Sequence, residues 1–210
     1  MNRGDMNRGD MNRGDMNRGD MKEAIDLLVE RLDGLAPQAA LVLGSGLGVL
    51  AGEVEDAVRI PYADLPGFPA SGVTGHAGEV VAGRFGGKPA LMLAGRAHYY
   101  EHGDAAVMRP VIETLAGIGV ARLILTNAAG SLDPEMLPGS VMLVTDHINF
   151  SGSNPLFGEP TDRRFVGLTE AYDAGLRAAI ERAAGAADIH LHKGVYMWFS
   201  GPSFETPAEI

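Results

Sequence analysis

Apolar and polar positions along the chain fall into blocks that predict helices and strands in turn. Between Met21 and Asp33 the apolar residues recur every third or fourth position, which predicts an amphipathic helix. Similar stretches predict helices over 105–116 and 169–184. Short apolar runs bounded by glycine or polar residues predict strands, and these runs are 39–43, 79–84, 89–93, 122–126, 140–144 and 193–199.

The order of these elements predicts the fold class. Strands made almost entirely of apolar residues alternate with helices, which is typical of a sheet that is buried on both faces. We therefore expect an α/β fold, a single domain over residues 21–210, with a central, mostly parallel, mixed sheet flanked by helices. Residues 61–78 are rich in proline, glycine, serine and threonine and predict a long loop. Long loops inside compact domains are often functional.

The first twenty residues are four copies of Met-Asn-Arg-Gly-Asp. This repeat has almost no apolar content beyond methionine, so residues 1–20 are expected to form a disordered tail outside the fold, either tag-like or a duplicated start region. Arg-Gly-Asp resembles the adhesion motif that integrins read. An alternative function is therefore adhesion, with the Arg-Gly-Asp tail as the functional part and the folded domain as its carrier.

Composition and charge exclude several classes of protein. With 46% apolar and 21% charged residues, a chain of 210 residues can bury a large core. A net charge of −10 opposes binding to nucleic acid, whose phosphates attract lysine and arginine clusters. No apolar run approaches the roughly 20 residues of a membrane span. The chain has no cysteine and no visible signal peptide, so we expect a cytoplasmic protein without disulfides or thiolate metal sites.

Four polar or glycine-rich segments follow predicted strands, at 44–48, 95–101, 127–130 and 201–205. Functional residues of open α/β sheets gather at the carboxyl ends of strands, so these segments are candidates for one site. The first of them lacks the third glycine of a dinucleotide-binding fingerprint. It is either a tight turn or a backbone nest in which N–H groups and the Ser45 hydroxyl hold an anion.

The segment 95–101, which follows the predicted strand 89–93, carries charged and aromatic side chains. Arg96 offers a planar fork of donors that suits a phosphate or a carboxylate. In extended backbone, His98 and Tyr100 would lie on the same face as Arg96. Glu101 could then orient an imidazole ring, and a surface turn with scattered polar groups is the alternative. His190 and His192 share a predicted strand face, but no third ligand lies nearby in the sequence, so we predict no metal site.

Six motifs occur together in this order: Gly44-Ser-Gly-Leu-Gly48, Gly75-His-Ala-Gly78, Gly95-Arg-Ala-His-Tyr-Tyr-Glu101, Thr126-Asn-Ala-Ala-Gly130, Asp146-His-Ile-Asn149 and Gly201-Pro-Ser-Phe-Glu-Thr206. Together they resemble those of the trimeric purine nucleoside phosphorylases, the branch that acts on 6-oxopurine nucleosides such as inosine and guanosine. The resemblance covers essentially all of residues 21–210. It implies a nucleoside phosphorylase-like fold and phosphorolysis of purine nucleosides to the free base and ribose 1-phosphate, a reaction of purine salvage.

The resemblance also implies a role for each matching residue. Phosphate would be held by five residues from four segments: Ser45, His76, Arg96, His98 and the backbone amide of Ala128. Tyr100 would line the ribose, and Phe204 and Glu205 would hold the purine, with the Glu205 carboxylate accepting from the N1–H side of the base. His98 and Glu205 are the residues expected to take part in catalysis. The family further implies that Asp146 and His147 form a structural turn, although a catalytic pair is possible.

Partners and completeness follow from the same resemblance. The expected partners are a purine nucleoside and phosphate, which is a substrate, with no cofactor and no metal. A homotrimer is implied for the full-length protein, with Phe165 lent to a neighbour's active site. Thr206, Pro207 and Glu209 form a helix-start signal just before the sequence stops at Ile210. We therefore expect a domain that is incomplete at its C-terminus and impaired in activity; a non-catalytic fragment that binds nucleoside or phosphate is the alternative.

Overall fold

The computed structural model describes residues 18–69 and 78–210. Its helices and strands, in chain order, are α1 (Arg18–Leu32), β1 (Ala39–Val42), β2 (Glu55–Pro61), β3 (Glu79–Phe85), β4 (Lys88–Ala94), α2 (Tyr99–His102), α3 (Arg109–Gly117), β5 (Arg122–Leu125), β6 (Val141–Asn149), α4 (Ala174–Ala186) and β7 (Leu191–Trp198). The chain divides into two compact units. The first holds the described residues up to Ala97 together with Ala106–Asn127, and the second holds His98–Ala105 and Ala128–Ile210.

The first unit contains a five-stranded sheet in the order β2-β3-β4-β1-β5. Strand β1 pairs in parallel with both β4 and β5, and β3 pairs antiparallel with β2 and β4. The predicted α/β fold with a mixed sheet flanked by helices is confirmed. Its extension to one domain over residues 21–210 stays a prediction.

The inner strands β3 and β4 are buried on both faces, and the two faces follow the alternation of side chains along each strand. On β3, Val80 and Ala82 belong to the larger apolar cluster, together with residues of α1 and α3, whereas Val81 belongs to a smaller cluster on the other face. On β4, Leu91 and Met92 divide between the two clusters in the same way. Burial on both faces explains why these strands read as continuous apolar runs.

Several elements differ from the prediction. Strand β2 was missed because it is an edge strand in which one residue, Ile60, is buried, so its sequence lacks an apolar pattern. Helix α4 begins at Ala174 rather than at residue 169, because the Asp173 carboxylate accepts the N–H of Leu176 at 2.6 Å and caps the helix. Helix α1 begins inside the repeat, at Arg18. The predicted disorder of residues 1–17 lies outside the described residues.

The second unit is built around β6 and β7, which pair in parallel with a register shift between Val144 and Asp146. Helix α4 connects these two strands. Among the described residues of this unit no apolar side chain is fully buried, and the one buried residue is Glu159, which accepts a hydrogen bond from the Thr161 hydroxyl at 2.6 Å. None of the helices in the described part of the chain is long and apolar enough to cross a membrane.

Candidate functional site

The glycine-rich loop after β1 passes very close to the end of β5. A Cβ atom added to Gly44 would lie 2.6 Å from the backbone oxygen of Thr126 and 2.9 Å from the Cα of Asn127, so the close approach requires glycine. Two residues later Gly46 has a φ of +85°, in the left-handed region that also favours glycine. These two glycines therefore set the path of the loop that carries Ser45.

The hydroxyl of Thr126 fastens this loop to the sheet. It accepts a hydrogen bond from the N–H of Gly44 at 2.8 Å and donates one to the carbonyl of Val42 at 2.9 Å. Since Val42 ends β1 and Thr126 directly follows β5, one side chain joins the ends of two paired strands. Thr126 belongs to one of the six sequence motifs, but the sequence predicts no role for it.

Arg96 reaches the same junction from the end of β4. Its side chain is half-buried, and its Nη1 donates to the carbonyl oxygen of Thr126 at 2.6 Å. Strands β4 and β5 both flank β1, so their carboxyl ends bring Arg96 and Thr126 to the loop that starts at Gly44. In the first unit the structure thus unites the glycine-rich segment with Arg96, as the strand-end rule predicted.

A cavity of about 390 Å³ lies beside this junction and is of a size that suits a small molecule. Ser45 lines it together with glycines of the loop. Two charged residues that the sequence analysis did not single out, Arg59 and Glu79, also line the cavity. They form an ion pair with 2.6 Å between Nη1 and Oε1. The cavity wall therefore carries a carboxylate as well as hydrogen-bond donors.

Tyr62 forms a hydrogen bond with the backbone just before Arg96. Its ring is buried, and its hydroxyl donates to the carbonyl of Gly95, the residue before Arg96, at 2.7 Å. Burial, with a smaller contribution from the charge of Glu79, raises the pKa of Tyr62 well above its ordinary value. Tyr62 therefore remains a neutral donor at neutral pH and fixes the backbone from which the Arg96 side chain extends.

Residues His98–Ala105 belong to the second unit, where two expectations need correction. Tyr100 lies in helix α2 rather than in extended backbone, and His98 is the N-cap residue of this helix. The rings of His98 and Tyr100 stack with their centroids 5.0 Å apart. The Glu101 carboxylate accepts the backbone N–H of His98 at 2.5 Å, so this hydrogen bond stabilises the helix start and does not orient the imidazole ring.

The segment with the predicted purine-binding residues begins beside Tyr100. A Cβ atom added to Gly201 would lie 3.4 Å from the Tyr100 ring, which is ordinary contact. Further along, Phe204 is 92% exposed and Glu205 is also exposed. The structure thus places Tyr100 beside the start of this segment and leaves both base-binding candidates on the surface of the second unit.

The predicted helix-start signal near residue 206 forms one helical turn. The N–H of Thr206 donates to the Glu209 carboxylate at 2.7 Å, which is one half of a capping box, and the N–H of Ile210 donates to the carbonyl of Thr206 at 3.3 Å. The threonine and the glutamate of this pattern therefore both take part in the turn that the structure shows.

Of three further predicted site residues, two are exposed and one is not described by the structure. Ala128 lies in the exposed loop that follows β5. Phe165 is 75% exposed, with the Arg164 guanidinium carbon 5.0 Å from the centre of its ring. His76 lies outside the described residues.

The pair Asp146 and His147 lies in the second unit. Asp146 and His147 lie within β6, so the structural turn that the resemblance implied is wrong; the strand simply continues through them to Asn149. The ring of His147 contacts the Tyr172 hydroxyl, with 3.1 Å between Nδ1 and the oxygen. Among the residues that the structure describes, no three histidine or acidic side chains are grouped so that they could hold a metal ion.

The fold and this site define an α/β protein with a glycine-rich loop and an arginine at the carboxyl ends of adjacent parallel strands. A family model described as the phosphorylase superfamily matches residues 38–210. Purine nucleoside phosphorylase 1 of Geobacillus stearothermophilus is 43% identical over 193 residues, which cover 90% of this chain and 70% of that protein. By this match, the chain belongs to the purine nucleoside phosphorylases of that superfamily.

Other relatives agree. Purine nucleoside phosphorylase 1 of Bacillus subtilis is 43% identical over 83% of this chain, which spans 66% of that protein's length. Two solved structures each match this chain with a TM-score of 0.83 and 33% sequence identity. Each match covers 92% of this chain and 74% of the solved chain. One is a purine nucleoside phosphorylase in complex with ribose-1-phosphate, and the other is the enzyme from Schistosoma mansoni in complex with acetate.

Proposed function

We propose that this chain acts in the phosphorolysis of 6-oxopurine nucleosides, with inorganic phosphate bound at the junction of the glycine-rich loop and Arg96. The observation that carries the proposal is the meeting of Gly44, Arg96 and Thr126 at one sheet edge, next to the cavity lined by Ser45. Backbone N–H groups, a hydroxyl and a guanidinium are the donors that a phosphate dianion requires.

The chemistry depends on placing phosphate close to the sugar. One oxygen of hydrogen phosphate attacks the anomeric carbon of the nucleoside while the bond from that carbon to the purine nitrogen breaks. The products are ribose 1-phosphate and a base that gains, overall, the proton that the phosphate loses. Positive charge develops on the sugar in the transition state, so a well-placed dianion stabilises it. In this proposal phosphate is a substrate and no metal or cofactor takes part. The family resemblance, and not the geometry of the first unit, assigns further phosphate contacts to His98, His76 and the Ala128 amide.

The base and the ribose are assigned to the second unit. Glu205 accepts the N1–H of a 6-oxopurine, Phe204 packs against the ring, and Tyr100 lies along the ribose. The position of Tyr100 near Gly201, four residues before Glu205, supports placing ribose and base side by side. Adenosine has no N1–H, so a site built around this hydrogen bond would discriminate strongly against it.

Assembly and location are also proposals. The exposed ring of Phe165 supports its placement at a neighbouring subunit's site in a homotrimer. A chain without cysteine fits a reducing compartment, and we propose the cytoplasm.

The direct test is a coupled assay that detects hypoxanthine formed from inosine by the purified chain. In keeping with the expected impairment, we expect slow release that depends on added phosphate and is lost in Arg96→Ala. Arg122→Ala is the matched control, because Arg122 is an exposed arginine at the start of β5, at the other end of that strand from Thr126. Phosphate binding without hypoxanthine release would favour the alternative of a non-catalytic binding protein, and absence of both would overturn the proposal.

A further inference from the structure

We propose that Arg59 is a positioning residue for the phosphate site, because it neutralises Glu79 within the cavity and holds the turn Gly48–Gly52 that follows the glycine-rich loop. This inference rests on the proposed function, since it takes the cavity lined by Ser45 as the place where phosphate binds. Neither Arg59 nor Glu79 belongs to the motifs on which the resemblance is based.

The register of the sheet places the two charged side chains together. In the antiparallel pair of β2 and β3, Arg59 is opposite Val81 and Pro61 is opposite Glu79, so Arg59 and Glu79 are diagonal neighbours on the same face. Their ion pair has 2.6 Å between Nη1 and Oε1. This face is also the one to which Ala51 packs, through the smaller apolar cluster that contains Val81.

The second amino group of Arg59 reaches the loop side of the cavity. Its Nη2 donates to the carbonyl of Ala51 at 3.0 Å. Ala51 is buried within the turn Gly48–Gly52, and both end residues of that turn line the cavity with Ser45. One guanidinium therefore connects β3, through Glu79, with the turn that follows the glycine-rich loop.

The charge of Glu79 gives the pair a role beyond packing. The Glu79 side chain is 18% exposed, so solvent screens its charge poorly, and it lines the cavity proposed for a dianion. Without a cation beside it, this carboxylate would repel phosphate. Arg59 cancels that repulsion and leaves Arg96 and the loop N–H groups to attract the ligand.

The experiment is a mutant cycle on phosphate affinity, with Kd for inorganic phosphate measured by equilibrium titration of the full chain. Arg59→Gln should raise Kd about tenfold, by leaving Glu79 unneutralised, and the effect should shrink as salt is added. Glu79→Gln should lower Kd, since Arg59 then adds its charge to the cavity. The double variant should return to within about threefold of the wild type, and so should Arg59→Lys, which keeps the charge.

The control is Arg84→Gln, because Arg84 is an exposed arginine on β3 that donates to a backbone carbonyl, that of Gly87, at 3.3 Å. It should leave Kd unchanged. If Arg59→Gln and Glu79→Gln weaken phosphate binding alike and the double variant is no better, the pair is merely structural and the inference is wrong. If the wild type binds phosphate and Arg59→Gln binds it equally well, this inference alone fails. A wild type that binds no phosphate would overturn the proposed function as well.

Discussion

Replacing Thr126 by valine would remove one hydroxyl from the junction between the glycine-rich loop and β5 while keeping the shape of the side chain. In the structure that hydroxyl accepts the Gly44 N–H at 2.8 Å and donates to the Val42 carbonyl at 2.9 Å. Val42 would keep the hydrogen bond from the backbone N–H of residue 126, at 3.1 Å. The principal loss therefore falls on the N–H of Gly44, which is buried.

The size of the effect follows from that buried donor. A buried polar group left without its partner costs about 1–3 kcal/mol, and because Thr126 is only partly buried we expect about 2 kcal/mol. For a chain of this size, that loss lowers Tm by about 4–8 °C. The loop should also shift away from β5, so phosphate affinity should fall together with stability.

The assay compares wild type, Thr126→Val and Thr126→Ser by thermal unfolding and by phosphate titration. Serine keeps the hydroxyl and loses one methyl group, so its cost should stay within about 1 kcal/mol. A valine variant as stable as the wild type and with the same phosphate affinity would refute the reasoning. Equal damage from serine and valine would also refute it, because packing rather than the hydroxyl would then be responsible.

Three further predictions concern the neighbouring groups. Arg96→Ala should weaken phosphate binding by about 1.5–3 kcal/mol, the cost of a lost charge-assisted contact, and change nucleoside binding far less; equal losses in two separate titrations would contradict the assignment. Tyr62→Phe should cost about 0.5–1.5 kcal/mol. Burial raises the Tyr62 pKa above that of an unfolded tyrosine, which is about 10. The contribution of Tyr62 to stability is therefore complete below pH 10 and is lost as the pH rises through the folded-state pKa. The free energy of unfolding, measured with denaturant, should fall more steeply between pH 9 and 11 for the wild type than for Tyr62→Phe. Glu205→Gln should reduce kcat/KM for inosine far more than for adenosine, and a parallel loss for both would show that Glu205 does not read N1–H.

The parts of the fold that sequence could predict are those with a strong local pattern. Strands β3 and β4 are buried on both faces and join through a tight glycine turn, so their apolar runs identified them to within a residue or two. Strand β2 could not be found in this way, because an exposed edge strand needs no apolar alternation. Helix α2 has four residues, too few for a helical period to show.

Some contacts of the candidate site could also be predicted from the sequence, and others could not. The meeting of Arg96 with the loop at Gly44 was predictable, because both follow strands whose ends lie at one sheet edge. The Arg59–Glu79 pair was not, since it depends on the register of the unpredicted strand β2. Thr126 carried one readable signal, a polar residue placed directly after an apolar strand, but its partners became clear only with the order of the strands known.

The contrast in burial between the two units has a consequence for local stability. Strands β3 and β4 lie inside the sheet with buried side chains on both faces, whereas β6 and β7 form a two-stranded pair without a fully buried apolar residue in the described chain. Amide protons exchange with solvent through openings whose free energy rises with the apolar surface that must be exposed. Deuterium uptake should therefore be rapid along β6 and β7 and slow along β3 and β4, so one folded chain would show two widely separated exchange regimes.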